Sequence, residues 1–412
     1  MSKLRLDSWK TIAEYLERSQ RTVQRWHGMH ALPVHHFGGR RGSVFAYAEE
    51  IDLWLLKLAE DAPPAIADGD ERLETRRQSS YDLTARAAEL WETHSEESLH
   101  TIAGLYRKAI DQYPSNVSAL SGLAKTMISA VLEGAMSSTV AYPCAMEALR
   151  RAAQVDSQDV GATCGAAWMY LLYERKWRHA RTAFVKVLSK QPQSAFALAG
   201  LSLLAIGEGD LYMSSFYAWE AWRQKTLVSS LGALVCWTQY LAGDMGQALE
   251  LVCQVRASGG GGVMLGTIEA LALARCSPSG AQLQRVEAIA ANYCQSQTLQ
   301  GVLGYVYAAN KQSALAWEIL QRLEKAGAKQ KHCAYGLAIL LGGLNRKQEA
   351  ARWLEAEYGE RSLWSLGFRT DPMLVALCGE PRYEAILRNL TNNAVSGMQT
   401  ASPVMAMARA IG

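Results

Sequence analysis

The sequence predicts a mainly α protein in two parts: a small helix-turn-helix module carrying a β-hairpin, then a long solenoid of paired helices. Three observations predict it. The chain is 412 residues long, more than one ordinary core serves, so it divides into domains or forms an extended array. Hydrophobic residues make up 49% and charged residues 20% of it, the balance of a folded chain and not of a disordered one. Helix-period apolar residues recur over most of its length, with Ala and Leu abundant and Pro scarce.

A net charge of +3 is too small to point to nucleic acid, but its distribution is uneven. Between Met1 and Tyr47 eight Lys/Arg (Lys3, Arg5, Lys10, Arg18, Arg21, Arg25, Arg40, Arg41) face three acids (Asp7, Glu14, Glu17), and four of the eight histidines lie there too. One end of the chain therefore carries the electrostatic footprint of an anion-binding module.

The elements of that end follow in order. Ser8 caps a first helix, with Trp9, Ile12, Ala13 and Leu16 at core spacing. Ser19 caps a second, with Val23 and Trp26 as its buried pair. Two short helices joined by so tight a turn make a helix-turn-helix. The opposite face of the second helix shows Gln20, Arg21, Gln24 and Arg25, long donors suited to a major groove, where Arg reads guanine and Gln reads adenine. A strand pair follows: Val34, His36, Val44, Phe45 and Tyr47 supply strand-type residues, and Gly38, Gly39 and Gly42 a tight turn. Arg40 and Arg41 sit at its tip, where they would meet phosphate or the minor groove. His35 and His36 read as strand-surface histidines, since no second ligand pair lies at metal spacing. A third helix from Glu49 to Glu60, with Ile51, Trp54, Leu55 and Leu58, closes the core.

The stretch SWKTIAEYLERSQRTVQRWHGMHALPVHHFGGRRGSVFAYAEEIDLWL resembles the MerR/excisionase-type winged helix-turn-helix over about 50 residues. The resemblance implies that Arg21, Thr22, Gln24 and Arg25 face the groove and that Arg40 and Arg41 form the wing. Two departures stand out: Glu17-Arg18 occupy a turn where the family commonly has Gly, and no long dimerising helix is evident after the module.

Residues 1–60 thus form the module. Residues 61–82, with two prolines, mixed charge and no apolar period, read as a linker. Residues 83–390 are a succession of amphipathic helices. Residues 391–412 read as a disordered tail.

Within the helical region Tyr106, Ala109 and Pro114 recur as Phe184, Val187 and Pro192. Weaker copies are Ala145/Leu149/Ala152, Ala248/Val252/Val255 and Ala316/Leu320/Leu323. Companion helices carry Leu120/Leu123/Ala124, Leu198/Leu201/Ser202 and Leu303/Gly304/Tyr307. The pattern resembles the tetratricopeptide (TPR) repeat, a helix–turn–helix of about 34 residues, so the region has room for about nine pairs, of which about four or five are clear. Val131–Pro143 and the glycine run 259–262 interrupt the period. Near the end, Ala350, Trp353, Leu354, Asp371-Pro372 and Pro381-Arg382-Tyr383 are similar to the closing repeats of bacterial regulators; Glu357, where a small residue is usual, predicts loose packing of the last pair.

A stacked array curls around a concave groove that takes an extended or helical peptide. The aromatic run Tyr212, Phe216, Tyr217, Trp219 and Trp222 is a candidate lining, with core packing the plainer alternative. SGGGG at 258–262 lacks the Lys-Ser/Thr of a phosphate loop, and no catalytic or metal constellation is evident, so neither enzymatic activity nor a cofactor is expected. The eight scattered cysteines read as reduced and mostly buried. Without an apolar signal core in MSKLRLDSWK or a run of about 20 apolar residues, a cytoplasmic protein away from the membrane is expected.

Taken together, the expectation is a DNA-binding transcriptional regulator whose partners are double-stranded DNA and a protein or peptide in the repeat groove. A module this small buries little surface, so strong specificity calls for a homodimer on DNA. The alternative is a TPR scaffold whose N-terminal module contacts protein.

Overall fold

The computed structural model describes residues 4–16, 18–36, 44–61, 65–92, 98–224, 229–276, 280–327 and 334–398. The chain divides into two compact units, Met1–Arg76 and Arg77–Gly412.

The first unit contains β1 (Arg5–Leu6), α1 (Trp9–Tyr15), α2 (Gln20–His30), β2 (His35–His36), β3 (Val44–Tyr47) and α3 (Ala48–Asp61). Ser8 and Ser19 cap as expected: their hydroxyls accept from the Thr11 and Thr22 amides, each satisfying a donor that the helix cannot. After α2, Ala31 turns into the left-handed region (φ 50°) and its amide donates to the Trp26 carbonyl, which stops the helix and aims the chain into the sheet. β1 is an addition to the sequence reading. It pairs antiparallel with β3, which also pairs with β2, giving the order β1-β3-β2. Two residues are too few for an alternation signal. Leu6, Ile12, Ala13, Val23, Leu32, Val34, Val44, Ala46 and Ile51 form the core, with Trp9, Leu16, Trp26 and Trp54 packed against it. Leu55, expected in that core, is 38% exposed; the Leu58 side chain lies outside the described residues.

The expected linker at 61–82 is corrected by α4 (Ala65–Glu92), a helix of 28 residues within which the division between units falls. It also supplies a long helix after the module, where the sequence reading found none. Ala, Glu, Arg, Leu and Gln are strong helix formers, and a solvated helix needs no apolar stripe. Residues 72–78 are all exposed, and the buried stripe begins only at Ser80, continuing through Ala87 and Trp91.

The second unit is a stack of helix pairs. After α4 and α5 (Ser98–Gln112) come α6 (Val117–Leu132), α7 (Ser138–Val155), α8 (Val160–Leu172), α9 (Trp177–Lys190), α10 (Ala195–Glu208), α11 (Leu211–Arg223), α12 (Ser229–Leu241) and α13 (Met245–Ala257). Then follow α14 (Val263–Arg275), α15 (Gly280–Asn292), α16 (Gln297–Ala309), α17 (Ser313–Gly327), α18 (Ala334–Gly343) and α19 (Lys347–Gly359). Each even-numbered helix from α6 to α18 packs on the next, forming a continuous inner layer, and the odd-numbered helices lie outside it. Seven pairs, α6/α7 through α18/α19, are present among the described residues.

The repeat residues read from the sequence are the ones that hold this stack. Ala109, Ala145, Leu149, Phe184, Val187, Val252 and Leu320 are buried on the outer helices, and Leu120, Leu123, Leu198, Leu201 and Leu303 on the inner ones. Small residues set the spacing. A Cβ on Gly200 would sit 2.1 Å from the Phe184 ring, and one on Gly301 would sit 2.3 Å from the Gly336 carbonyl oxygen, so α16 and α18 meet backbone to backbone.

Beyond α19 the chain forms two short 3₁₀ helices (Leu363–Leu366 and Pro372–Leu377) and α20 (Pro381–Met398). These run back to α9, α10 and α18. The expected disordered tail at 391–412 is helical through Met398, with Ala394 buried in the core; residues 399–412 lie outside the described ones.

Candidate functional site

Gln20, Arg21, Gln24 and Arg25 are all exposed on α2, with Thr22 half-buried beside the Ser19 cap. Val23 is fully buried, and Trp26 packs on Trp54 at 5.9 Å between ring centroids, so the inner face of α2 is fixed and its outer face is left to solvent. Ion pairs of this unit include Arg5–Asp7 (2.7 Å) and Lys10–Glu14 (4.0 Å), and His35 Nε2 lies 2.6 Å from Glu50; none of these uses Arg21 or Arg25. Lys10, Arg18, Ser19 and Gln20 border a shallow cleft at the start of α2, with Glu14 on its rim. The structure thus gathers the five α2 residues that the sequence singled out. Arg40 and Arg41 lie outside the described residues. His35 and His36 are exposed on the sheet, and His35 Nε2 meets Glu50.

Around α12 and α18 the inner face of the solenoid is covered by the chain itself. Trp364 packs edge-on against Trp237 of α12 (5.4 Å) and stacks on Tyr335 of α18 (5.2 Å, 12°), while Phe368 lies over the same tyrosine at 6.1 Å. Asp371 is buried beneath them. It accepts from the Tyr240 hydroxyl at 2.6 Å, from the Tyr335 hydroxyl and from the Met373 amide at 2.9 Å. Burial pushes this carboxyl up from the ordinary aspartate value, and the two tyrosine hydrogen bonds pull it part of the way back. Both phenols are in turn held well above their usual range by burial beside the carboxylate.

Two arginines fasten the return segment in a reciprocal clasp. Arg175, in the α8–α9 turn, donates to the Tyr358 carbonyl (2.7 Å) and lies 3.6 Å over the Tyr358 ring. Arg361, just past α19, donates to the Tyr173 carbonyl and lies 4.5 Å over the Tyr173 ring. Cation–π contacts of partly buried arginines contribute about 1 kcal/mol each. Arg369 adds a bond to the Glu208 carbonyl at 2.9 Å.

Glu357, expected to loosen the last pair, is buried and accepts from the Tyr335 amide at 3.1 Å, so it caps the start of α18. Burial raises its pKa to about 7. The aromatic run on α11 belongs to the outer layer and not the groove: Tyr217 is buried, Phe216, Trp219 and Trp222 pack against the core, and Tyr212 is 82% exposed. The cysteines also differ from expectation. Cys164 and Cys236 are buried, with thiols pushed up to about 12 by desolvation, but Cys253, Cys294 and Cys378 are exposed; Cys333 lies outside the described residues.

Sequence reasoning flagged Asp371 only as half of an Asp-Pro pair and missed its partners, which lie 131 and 36 residues away. No local pattern encodes such a pairing. Among the described residues no group of three His, Cys, Asp or Glu could hold a metal, and no helix is long and apolar enough to cross a membrane.

Helix pairs stacked through a continuous inner layer, with glycines at the closest approaches, define the second unit as a TPR-like α-solenoid. No family model matches the sequence, and no curated protein matches it. Among solved structures, the chain resembles the APC/C hetero-tetramer Cut9–Hcn1 at 13% identity and a TM-score of 0.50, covering 83% of this chain and 59% of that one. Looser likenesses are PilW, a type IV pilus biogenesis factor (14% identity, TM-score 0.35, 62% of this chain and 97% of that one), and the P58(IPK) TPR domain (11%, 0.21, 77% and 99%). The first of these shares the helical-repeat fold.

Proposed function

We propose that this chain is a non-enzymatic, cytoplasmic protein-interaction scaffold built on its solenoid. The observation that supports it is the repeat stack itself, an extended helical surface of the kind that serves protein contacts. The similar structure is that of a hetero-tetramer, an assembly of separate chains. The return segment covers part of the inner face, and further apolar side chains lie open on the outer helices, among them Tyr212 (82% exposed), Val140 (62%) and Trp317 (43%). Affinity capture with the full chain, quantified by mass spectrometry, tests this. A partner set retained by wild type and lost from Tyr212→Ser/Val140→Ser supports the reading. Identical recovery by both, with a solenoid shown to be folded, removes the outer surface from it.

A second reading, favoured by the exposed donor face of α2, adds double-stranded DNA as a partner of the first unit and makes the chain a transcriptional regulator. The first 50 or so residues resemble the MerR/excisionase module; Gln20, Arg21, Thr22, Gln24 and Arg25 would face the groove, Arg40 and Arg41 the backbone, and two copies would share one site. Fluorescence anisotropy of the full chain on random-sequence duplex tests it across a salt series. Affinity should fall steeply with salt, and Arg21→Ala/Arg25→Ala should lower the log–log slope by about 2. No binding at low salt leaves the scaffold with an N-terminal module that contacts protein.

A further inference from the structure

Between the inner helices lies a cavity of about 210 Å³. Trp168 of α8, Phe196 and Leu203 of α10, Leu234 of α12 and Leu363 of the first 3₁₀ helix are among its apolar walls. The Trp168 and Phe196 rings stack at 4.8 Å and 29°, and Trp168 Nε1 donates to the Phe196 carbonyl at 3.2 Å, which fixes that wall. Lys125, the one charged residue of the lining among the described residues, is already engaged. Its ammonium lies 4.2 Å from the Trp91 ring and 5.5 Å from that of Phe196. Two hydroxyls of the lining are not engaged. Ser129 of α6 is 2% exposed, and its hydroxyl has no hydrogen-bond partner among the described residues. Ser121 of the same helix returns its hydroxyl to the Val117 carbonyl at 2.9 Å; Ser129 makes no such bond. Ser194 stands at the start of α10 without capping it, and its hydroxyl is likewise unpartnered among the described residues.

The chemistry of this lining narrows the occupant. A dry apolar void of about 150 Å³ already holds a benzene-sized molecule, so the space here takes one or two rings. An anion would be buried among apolar walls beside a cation that two ring faces already hold. A pure hydrocarbon would seal both serine hydroxyls away from water without a partner. A peptide segment would bury amides against a lining with too few groups to satisfy them. A single ligand hydroxyl matches, because it accepts from one serine and donates to the other or to water between them. We propose that the cavity binds a small neutral aromatic alcohol, its ring against Trp168 and the leucines and its hydroxyl on Ser129 and Ser194. Because Leu363 belongs to the return segment, the occupant also touches the piece of chain that covers part of the inner face.

Calorimetric titration of the full chain with 5-indanol tests the assignment, beside indane, which lacks the hydroxyl, and indane-5-carboxylate, which replaces it with a charge. Wild type should bind 5-indanol saturably at one site and the carboxylate at least about tenfold more weakly, since the anion loses its water without gaining a free cation. Ser129→Ala/Ser194→Ala should weaken 5-indanol by about fivefold or more while moving indane by less than about twofold, because hydrogen bonds are lost from one probe only. Leu203→Trp should fill the space and abolish both; Ala195→Leu, a smaller intrusion, replaces it if that chain does not fold by circular dichroism. The proposal is overturned by no saturable heat from folded wild type, by a carboxylate that binds as tightly as the alcohol, by a double variant that weakens both neutral probes equally or neither, or by undiminished binding in the filled variant.

Discussion

The outer face of α2 and the inner face of the solenoid handle charge in opposite ways. On α2, Arg21 and Arg25 stand exposed, outside every ion pair found among the described residues of that unit. Inside the solenoid, Asp371 and Glu357 are buried and hydrogen-bonded to the chain's own tyrosines and amides. Exposed cations cost the fold nothing and remain available to an external anion. Buried carboxyls are already committed, because an unpaired one would carry a desolvation penalty of several kcal/mol. The difference separates a surface open to a partner from a stretch of inner face, around α12 and α18, that the chain's own return segment covers.

The largest test of the covered inner face is Phe368→Ala. Phe368 is fully buried against Tyr335, and truncating such a ring in a core costs about 4 kcal/mol. Urea unfolding of the full chain should show that loss in the solenoid's transition. A cost below about 1 kcal/mol would mean that the return segment is only loosely seated on α18.

A second, somewhat smaller effect sharpens the electrostatic side of the comparison. Glu357 titrates near 7 in the folded chain against an ordinary 4.5, raised by burial first and by Glu360 to a lesser degree, with the Ser362 and Tyr335 hydrogen bonds opposing. A raised carboxyl favours the folded state while protonated, so its contribution is fully present below about 4.5 and is lost as the pH climbs through 7. The shift corresponds to about 3 kcal/mol over that window. Glu357→Gln stays neutral throughout. The stability difference between wild type and this variant, followed by urea titration between pH 4.5 and 8, should therefore change by about that amount, with wild type losing ground at high pH. Parallel curves would show that the carboxyl is solvated.

What the sequence made legible follows from the range of the interactions. Both serine caps, the apolar faces of α1 and α2 and the buried repeat residues are local patterns with a fixed period, and each was readable from a few neighbouring positions. The reading failed where distance or solvation decided. β1 is two residues held by a partner 40 positions on. The first half of α4 is a solvated helix with no apolar stripe to announce it. The clasp joins Arg175 to Tyr358 and Arg361 to Tyr173, contacts that span 183 and 188 residues. Glu357 looked like a packing fault because its partner, the Tyr335 amide, belongs to a different helix. On the α2 face the residue types and their exposure were both legible, since a short capped helix with one buried face leaves only one arrangement for the rest.

The smallest predicted effect bears on that face alone. Ser19 accepts from the Thr22 amide at 3.2 Å and meets the Thr22 hydroxyl at 2.8 Å, so it fixes the first turn of α2, from which Gln20 and Arg21 project. Ser19→Ala removes one cap, at a cost of about 1 kcal/mol. Amide hydrogen exchange in the full chain should quicken by about fivefold over Val23 to Trp26 and stay unchanged in α10 and α12, because one local cap governs one local opening. If the exchange is unaltered, the turn is held by the core contacts of Val23 and not by its cap. The donors on α2 would then be positioned by packing, as the aromatic groups inside the solenoid are, and the contrast between the two faces would rest on charge alone.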